Sequence, residues 1–240
     1  SFTTGEMANS HSSSDQKEGV RMDKYQQIKR IFEAHQDPCQ AVKMAHYMRD
    51  QFVFYGIPSQ SRKVLTRPLI KEEKKQAMID WAFLDQCYQD EHREFQYLVC
   101  DYLEALKKYL CYEDLSHIHT YLVTRSWWDT TDALDLVVGS LGLRDKRVND
   151  LMLAWSTDEN IWLRRVAIDH QLLRKEKTDT ELLEKILVNQ WGSQEFFINK
   201  AVGWILRDYS KTDPDWVRAF ISRHETKMHP LSIREGSKYL

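Results

Sequence analysis

From Met22 onward, apolar residues recur at intervals of three and four, first as Tyr25, Ile28, Ile31 and Phe32, then as Met44, Tyr47, Met48 and Phe52. That spacing puts them on one face of a helix with 3.6 residues per turn, so two helices are predicted before the break at Gly56-Ile57-Pro58. The same periodicity predicts further helices at about 72–87, 92–111, 114–124, 127–138, 146–155, 160–175, 180–190, 194–210 and 214–223. Short connections between them imply antiparallel neighbours. Residues 1–21 carry no apolar period and are polar and Ser-rich, which predicts a disordered tail and leaves 22–240 as a single domain.

A longer period overlies the helical one. Phe95 to Val99, Leu163 to Ala167 and Ile198 to Val202 each open an apolar face after a polar start, and their first residues lie 68 and 35 apart. Those intervals are close to two repeats and one of a HEAT-like solenoid of helical pairs, whose period is roughly 34–47 residues. The predicted fold is therefore all-α, an α-α superhelix. Its inner helices line a concave surface able to cradle a rod-like partner such as duplex DNA. At the shorter offset Arg165 corresponds to Lys200.

Composition agrees with helices, since Gly (8) and Pro (5) are scarce while Trp (8) and Tyr (11) are plentiful enough for a core or a stacking surface. The formal charge of -2 excludes an overall polycation, and residues 116–240 hold 18 Lys+Arg against 18 Asp+Glu. A nucleic acid would have to be met by a local basic face. Cys39, Cys87, Cys100 and Cys111 show no C-x-x-C spacing and are expected to be reduced, buried thiols of a cytoplasmic protein. No apolar run approaches the roughly 18 residues needed to span a bilayer, and no secretory signal is visible. The histidines have no metal-ligand spacing, and no H-E-x-x-H, G-x-S-x-G or Gly-rich phosphate loop occurs. No metal and no cofactor are expected.

Chemistry concentrates in three segments. In Thr124 to Asp132, Ser126 is expected to cap a helix with Asp129 three residues on, whereas Asp132 sits one turn after Trp128 on the same face. Asp132 reads either as a surface carboxylate or partner of Arg165, or as the group that stabilises positive charge on a sugar during N-glycosidic cleavage. Arg165 stands on an apolar stripe with Ile161, Ile168 and Leu172, so it either snorkels outward or forms a bidentate contact with carboxylate or phosphate. Arg164 shares its face with Asn160, Gln171 and Lys175 and reads as solvated or as a phosphate contact. Trp204 has Lys200 one turn before it and Arg207 and Asp208 one turn after, which fits either core packing or a ring on a cationic stripe that tracks a nucleic-acid backbone.

The stretches Ala34 to Pro38, Ala45 to Arg49, Ser126 to Asp132, Asn160 to Arg165, Glu195 to Ile198 and Lys200 to Arg207 resemble the AlkD-like DNA alkylation repair family, over a match from about 23 to 240. The resemblance implies a HEAT-like solenoid and a monomeric, monofunctional glycosylase that removes cationic N3- or N7-alkylated purines from duplex DNA. It implies the catalytic carboxylate at Asp132 and the active-site arginine at Arg165. It also implies lesion and DNA contacts at Trp128, Trp204 and Tyr47, while the helix faces themselves offer Lys200, Arg164 and Arg207 as phosphate contacts. A cationic purine is already a good leaving group, so the chemistry asks for a carboxylate for the sugar cation, indole faces for the base and cations for phosphates. Two other readings compete: a non-catalytic helical-repeat module that binds nucleic acid, and a protein adaptor, which the low net charge favours.

Overall fold

The computed structural model describes residues 21–240, so the tail expected over 1–21 lies outside them but for Arg21. Among the described residues the chain is all-helical, with one isolated bridge between Val53 and His92 and no strands. The helices are α1 (Lys24–Ala34), α2 (Pro38–Tyr47), α3 (Ser59–Gln76), α4 (Trp81–Gln89), α5 (Arg93–Ala105), α6 (Leu115–Leu122) and α7 (Trp128–Gly142). They continue as α8 (Arg147–Trp155), α9 (Ile161–Asp169), α10 (Thr180–Val188), α11 (Phe196–Ser210), α12 (Pro214–His224) and α13 (Pro230–Gly236).

Short polar side chains start many of these helices. Asp23, Asp37, Asp80, Asn160, Asp179 and Asp213 each accept a backbone N–H of the first turn, satisfying a donor that the helix itself cannot. Pro38 and Pro214 follow two of them, where a missing N–H does no harm.

The helices stack in two layers. In one, α3, α5, α7, α9, α11 and α13 each pack on the next; in the other, α4, α6, α8, α10 and α12 cover them. From α5 on, helices of the first layer begin at Arg93, Trp128, Ile161, Phe196 and Pro230, in steps of 35, 33, 35 and 34 residues. The repeat seen in the apolar pattern is thus the repeat of the helical pairs. Leu134, Val137 and Val138 of α7, Val166 and Ile168 of α9, and Ile198, Val202 and Ile205 of α11 lie buried between the layers. Each such side chain contributes about 1.5–3 kcal/mol by leaving water.

Charged pairs tie successive members of the first layer together. Arg62 pairs with Asp101, Arg93 with Asp129, Arg165 with Asp132 and Lys200 with Glu235. Gly139 sets the spacing of α7 and α9, because a Cβ there would lie 1.9 Å from the backbone oxygen of His170.

Several expectations are corrected. The helix predicted at 72–87 is the end of α3, a break and the start of α4: Ala77 takes a left-handed φ of 54° and Asp80 caps the next helix. α3 itself was hidden by Pro68 in its interior and by its polar run. α13 was not predicted. The helix predicted over 160–175 ends at Asp169, and Leu173 and Lys175 take positive φ in the turns that follow. Ser126 does not cap α7; its hydroxyl donates to the carbonyl of Leu122, and Asp129 instead receives a fork from Arg93. Of the four thiols, Cys87 and Cys100 are buried as expected, but Cys39 and Cys111 are exposed.

Candidate active site

α7, α9 and α11 bring Trp128, Asp132, Arg165 and Trp204 onto one surface. Trp128 opens α7 and Asp132 follows one turn later, so both project from the same face. The Arg165 guanidinium reaches across from α9, with Nε donating to Asp132 Oδ1 at 2.8 Å and Nη2 donating to Oδ2 at 3.0 Å. Its Nη1 donates to the carbonyl of Phe197 at 2.6 Å, which fixes the guanidinium against the start of α11. The Arg165 side chain is 3% exposed and that of Asp132 is 24% exposed, so the carboxylate is the part of the pair that solvent and ligands can reach.

Aromatic rings flank this pair. Trp204, 39% exposed, lies with its ring centroid 5.6 Å from the Arg165 guanidinium and 5.8 Å from Lys200 Nζ. Tyr47, at the end of α2 and 71% exposed, meets Trp128 edge-on with centroids 6.1 Å apart. Beneath them Trp127, Trp162 and Phe197 pack with centroids 5.0 to 5.8 Å apart. That cluster is the platform from which Phe197 offers its carbonyl to Arg165.

The expected phosphate-contacting cations separate into two groups. Lys200 and Arg207 lie on the Trp204 side of α11, but both face Glu235 of α13, at 2.8 and 3.7 Å. Arg207 also donates to the Tyr239 hydroxyl at 3.0 Å. A cavity of about 290 Å³ opens beside them, lined by Leu172, Trp204, Arg207, Asp208 and Lys211. Arg164, read from the sequence as solvated or as a phosphate contact, is half-buried, with Nε and Nη2 donating to Gln190 Oε1 at 3.1 and 2.9 Å. Gln190 is itself fixed by the carbonyls of Ser156 and Ile186.

Three site residues were missed in the sequence. Glu235 balances the α11 cations. Asp135 and Asp169 lie behind Asp132, and one carboxylate oxygen from each of the three comes within 4.8 Å of the others. Burial and the neighbouring carboxylates Asp169 and Asp132 push the Asp135 carboxyl well above the usual range. Burial likewise raises Asp169, against the opposing pull of the Arg165 guanidinium. Burial alone would lower the pKa of Arg165, yet the hydrogen bonds to Asp132 and the charges of Asp169, Asp132 and Asp135 outweigh it and hold it above its ordinary value. The signal for Asp135 and Asp169 was available as helical spacing: Asp135 is one turn from Asp132, and Asp169 one turn from Arg165.

The family model described as "DNA alkylation repair enzyme" matches residues 28–240. The chain belongs to this family. It is also similar to a solved structure titled as a predicted DNA alkylation repair enzyme from Enterococcus faecalis. The identity is 38%, 85% of this chain and 96% of that one are covered, and the TM-score is 0.78. No curated protein matches. Family membership supports a role in repair of alkylated DNA. No described helix is long and apolar enough to cross a membrane.

Proposed function

We propose that this member of the DNA alkylation repair family is a monofunctional DNA glycosylase that hydrolyses the N-glycosidic bond of cationic N3- or N7-alkylated purines in duplex DNA, acting as a monomer. The observation that carries the reading is the half-open carboxylate of Asp132, held by the Arg165 fork on the same surface as two indoles, Trp128 and Trp204. As the bond to a cationic purine lengthens, the base leaves as a neutral molecule and positive charge moves to the sugar. A fixed carboxylate stabilises that charge and orients the incoming water without first reorganising. The indole faces and Tyr47 suit a flat cationic base, through cation–π attraction and stacking. Lys200, Arg207 and Lys211, partly offset by Glu235, gather positive charge beside Trp204, and flanking phosphates would compete with Glu235 as their counter-ions.

The bidentate Asp132–Arg165 contact also favours a second reading, in which Asp132 only orients Arg165 and the protein binds damaged DNA without cutting it. Incubating the purified chain with methylated duplex and assaying free base separates the two. Release of 7-methylguanine or 3-methyladenine supports the glycosylase. Tight binding of the duplex with no free base supports the module.

A further inference from the structure

A catalytic Asp132 raises a difficulty of electrostatics. Its carboxylate is in a two-point contact with the Arg165 guanidinium, and the two charges very nearly cancel when seen from the substrate side. The pair therefore offers the sugar cation the negative end of a dipole and not a full negative charge.

The residues behind the pair resolve this. Asp135 is 1% exposed, and neither of its carboxyl oxygens has a hydrogen-bond partner; Asp169 is also 1% exposed, with Oδ1 unpartnered. A buried ionised carboxylate without a donor is among the least favourable groups in a protein. Two such groups beside Asp132, with oxygens inside a 4.8 Å span, cannot both be ionised. One proton between them removes the conflict and leaves one negative charge. Arg165 pulls on both carboxyls, but it is the leading opposition to burial at Asp169, one turn later on the same helix, and a lesser one at Asp135, so the charge goes to Asp169 and the proton to Asp135. The charged groups acting on the pair are Asp132 from α7, Arg165 from α9 and Asp208 from α11.

We propose that Asp135 and Asp169 are positioning residues of the glycosylase site: together they hold one proton and one negative charge behind Arg165, so that the cluster with Asp132 is net negative toward the sugar cation. The Asp169 charge then offsets part of the guanidinium charge through space, while the Arg165 donors stay on Asp132 and the Phe197 carbonyl, and Asp132 keeps the field that the reaction needs. Such a pair disfavours the folded state, and groups of that kind concentrate at functional sites. This inference rests on the glycosylase reading, and its test separates the two.

Asparagine mimics a protonated aspartate in shape and as a donor, which gives the two positions different expected outcomes. Single-turnover release of 7-methylguanine from methylated duplex, measured from about pH 5 to about pH 9, is expected to slow about 10- to 100-fold in Asp169→Asn near neutral pH. Asp135→Asn, the conservative variant that keeps a donor where the proton sits, is expected to slow release less than Asp169→Asn at every pH, and the double variant to match Asp169→Asn. The wild-type rate should fall on acidification as the pair takes a second proton, a fall that Asp169→Asn lacks. Independently of activity, unfolding wild type near neutral pH should release about one proton more than unfolding Asp135→Asn, because both carboxyls ionise in the open chain.

An Asp169→Asn variant that works at the wild-type rate would overturn the inference while leaving the glycosylase intact. So would equal losses at the two positions, a rate loss that only tracks a lowered melting temperature, or activity abolished by a chelator and restored by a divalent cation. If wild type releases no base, the glycosylase reading and the catalytic use of the pair fail together, and the proton count on unfolding still decides whether the pair exists.

Discussion

Nε and Nη2 of Arg165 lie 2.8 and 3.0 Å from the two carboxylate oxygens of Asp132, a fork that ties α9 to α7 beside the Trp204 ring. It is one rung of a ladder of ion pairs between successive first-layer helices, with Arg93 and Asp129 forming the rung before it. The two rungs differ in exposure. The Asp129 side chain is 6% exposed and the Asp132 side chain 24%, so the same device is structural in one repeat and open to a ligand in the next.

The first expectation follows from that fork. Arg165→Leu strands Asp132 and Asp169 beside each other and frees the Phe197 carbonyl, so the variant should lose about 3–5 kcal/mol of stability. Arg165→Lys keeps the charge but cannot span both oxygens of Asp132 and the Phe197 carbonyl, and should lose less. Urea denaturation of both variants checks the order. Equal stability of Arg165→Leu and wild type would contradict it.

Gly139→Ala tests the contact that sets the spacing of α7 and α9. A Cβ 1.9 Å from the His170 carbonyl oxygen cannot be absorbed by a side-chain rotation, since the obstacle is backbone. The helices must separate, with an expected loss of at least about 2–3 kcal/mol and a weakened site, because Asp132 and Arg165 ride on those two helices. Gly192→Ala is the control for space: nothing lies within 4 Å of its added Cβ, though φ is +89° there, so only backbone strain is felt.

Two buried groups give the stability an opposing pH dependence. His170 is fully buried, and burial lowers its pKa to about 3 from 6.5, so the folded protein holds the neutral ring. The stabilisation this gives is present above pH 6.5 and is lost as pH falls toward 3, by about 1.4 kcal/mol per pH unit. Asp135 acts the other way. Its folded pKa lies above 3.8, so its contribution is intact below that value and is lost as pH rises through the folded pKa. Melting temperatures should therefore show His170→Gln gaining on wild type as pH drops below 6.5, and Asp135→Asn gaining on wild type as pH rises above 3.8. Parallel curves for all three proteins would contradict both assignments.

Glu235 restrains the cations of α11. Removing its charge in Glu235→Gln frees Lys200 and Arg207 from their 2.8 and 3.7 Å contacts. Binding of an undamaged duplex should tighten, and the slope of log affinity against log salt should steepen by about 1–2, as one or two more phosphates are neutralised. An unchanged slope would place the DNA elsewhere on the molecule.

Much of this architecture was legible from the spacing of apolar residues, because every helix of the first layer from α5 to α11 buries a regular stripe. α13 and α3 escaped. The first is short and begins with Pro230-Leu-Ser-Ile, and the second has a proline in its interior and ends in the charged run 71–75, so neither carries a full apolar period. With α13 went Glu235, and Lys200 and Arg207 consequently looked like free cations. The pairing of Asp132 with Arg165 was one of the readings open at each residue, and only tertiary structure could show it. Asp129 misled for a different reason: a carboxylate three residues after a serine imitates a cap, whereas its actual partner, Arg93, lies 36 residues away on the neighbouring repeat. The burial of Asp135 and Asp169 could not be inferred from their spacing alone, since it depends on how tightly Gly139 lets α9 approach α7.

The most direct measurement is the rate at which free 7-methylguanine leaves a methylated duplex under single-turnover conditions, for wild type and for Asp132→Asn, below the melting transition of each. The account predicts release by wild type and a loss of about 10²–10³-fold in the variant, the size typical of one preorganised electrostatic group, with duplex affinity nearly unchanged. Equal rates from two folded proteins would contradict the role of Asp132, and the protein would then be better described as a helical solenoid that holds damaged DNA for another enzyme.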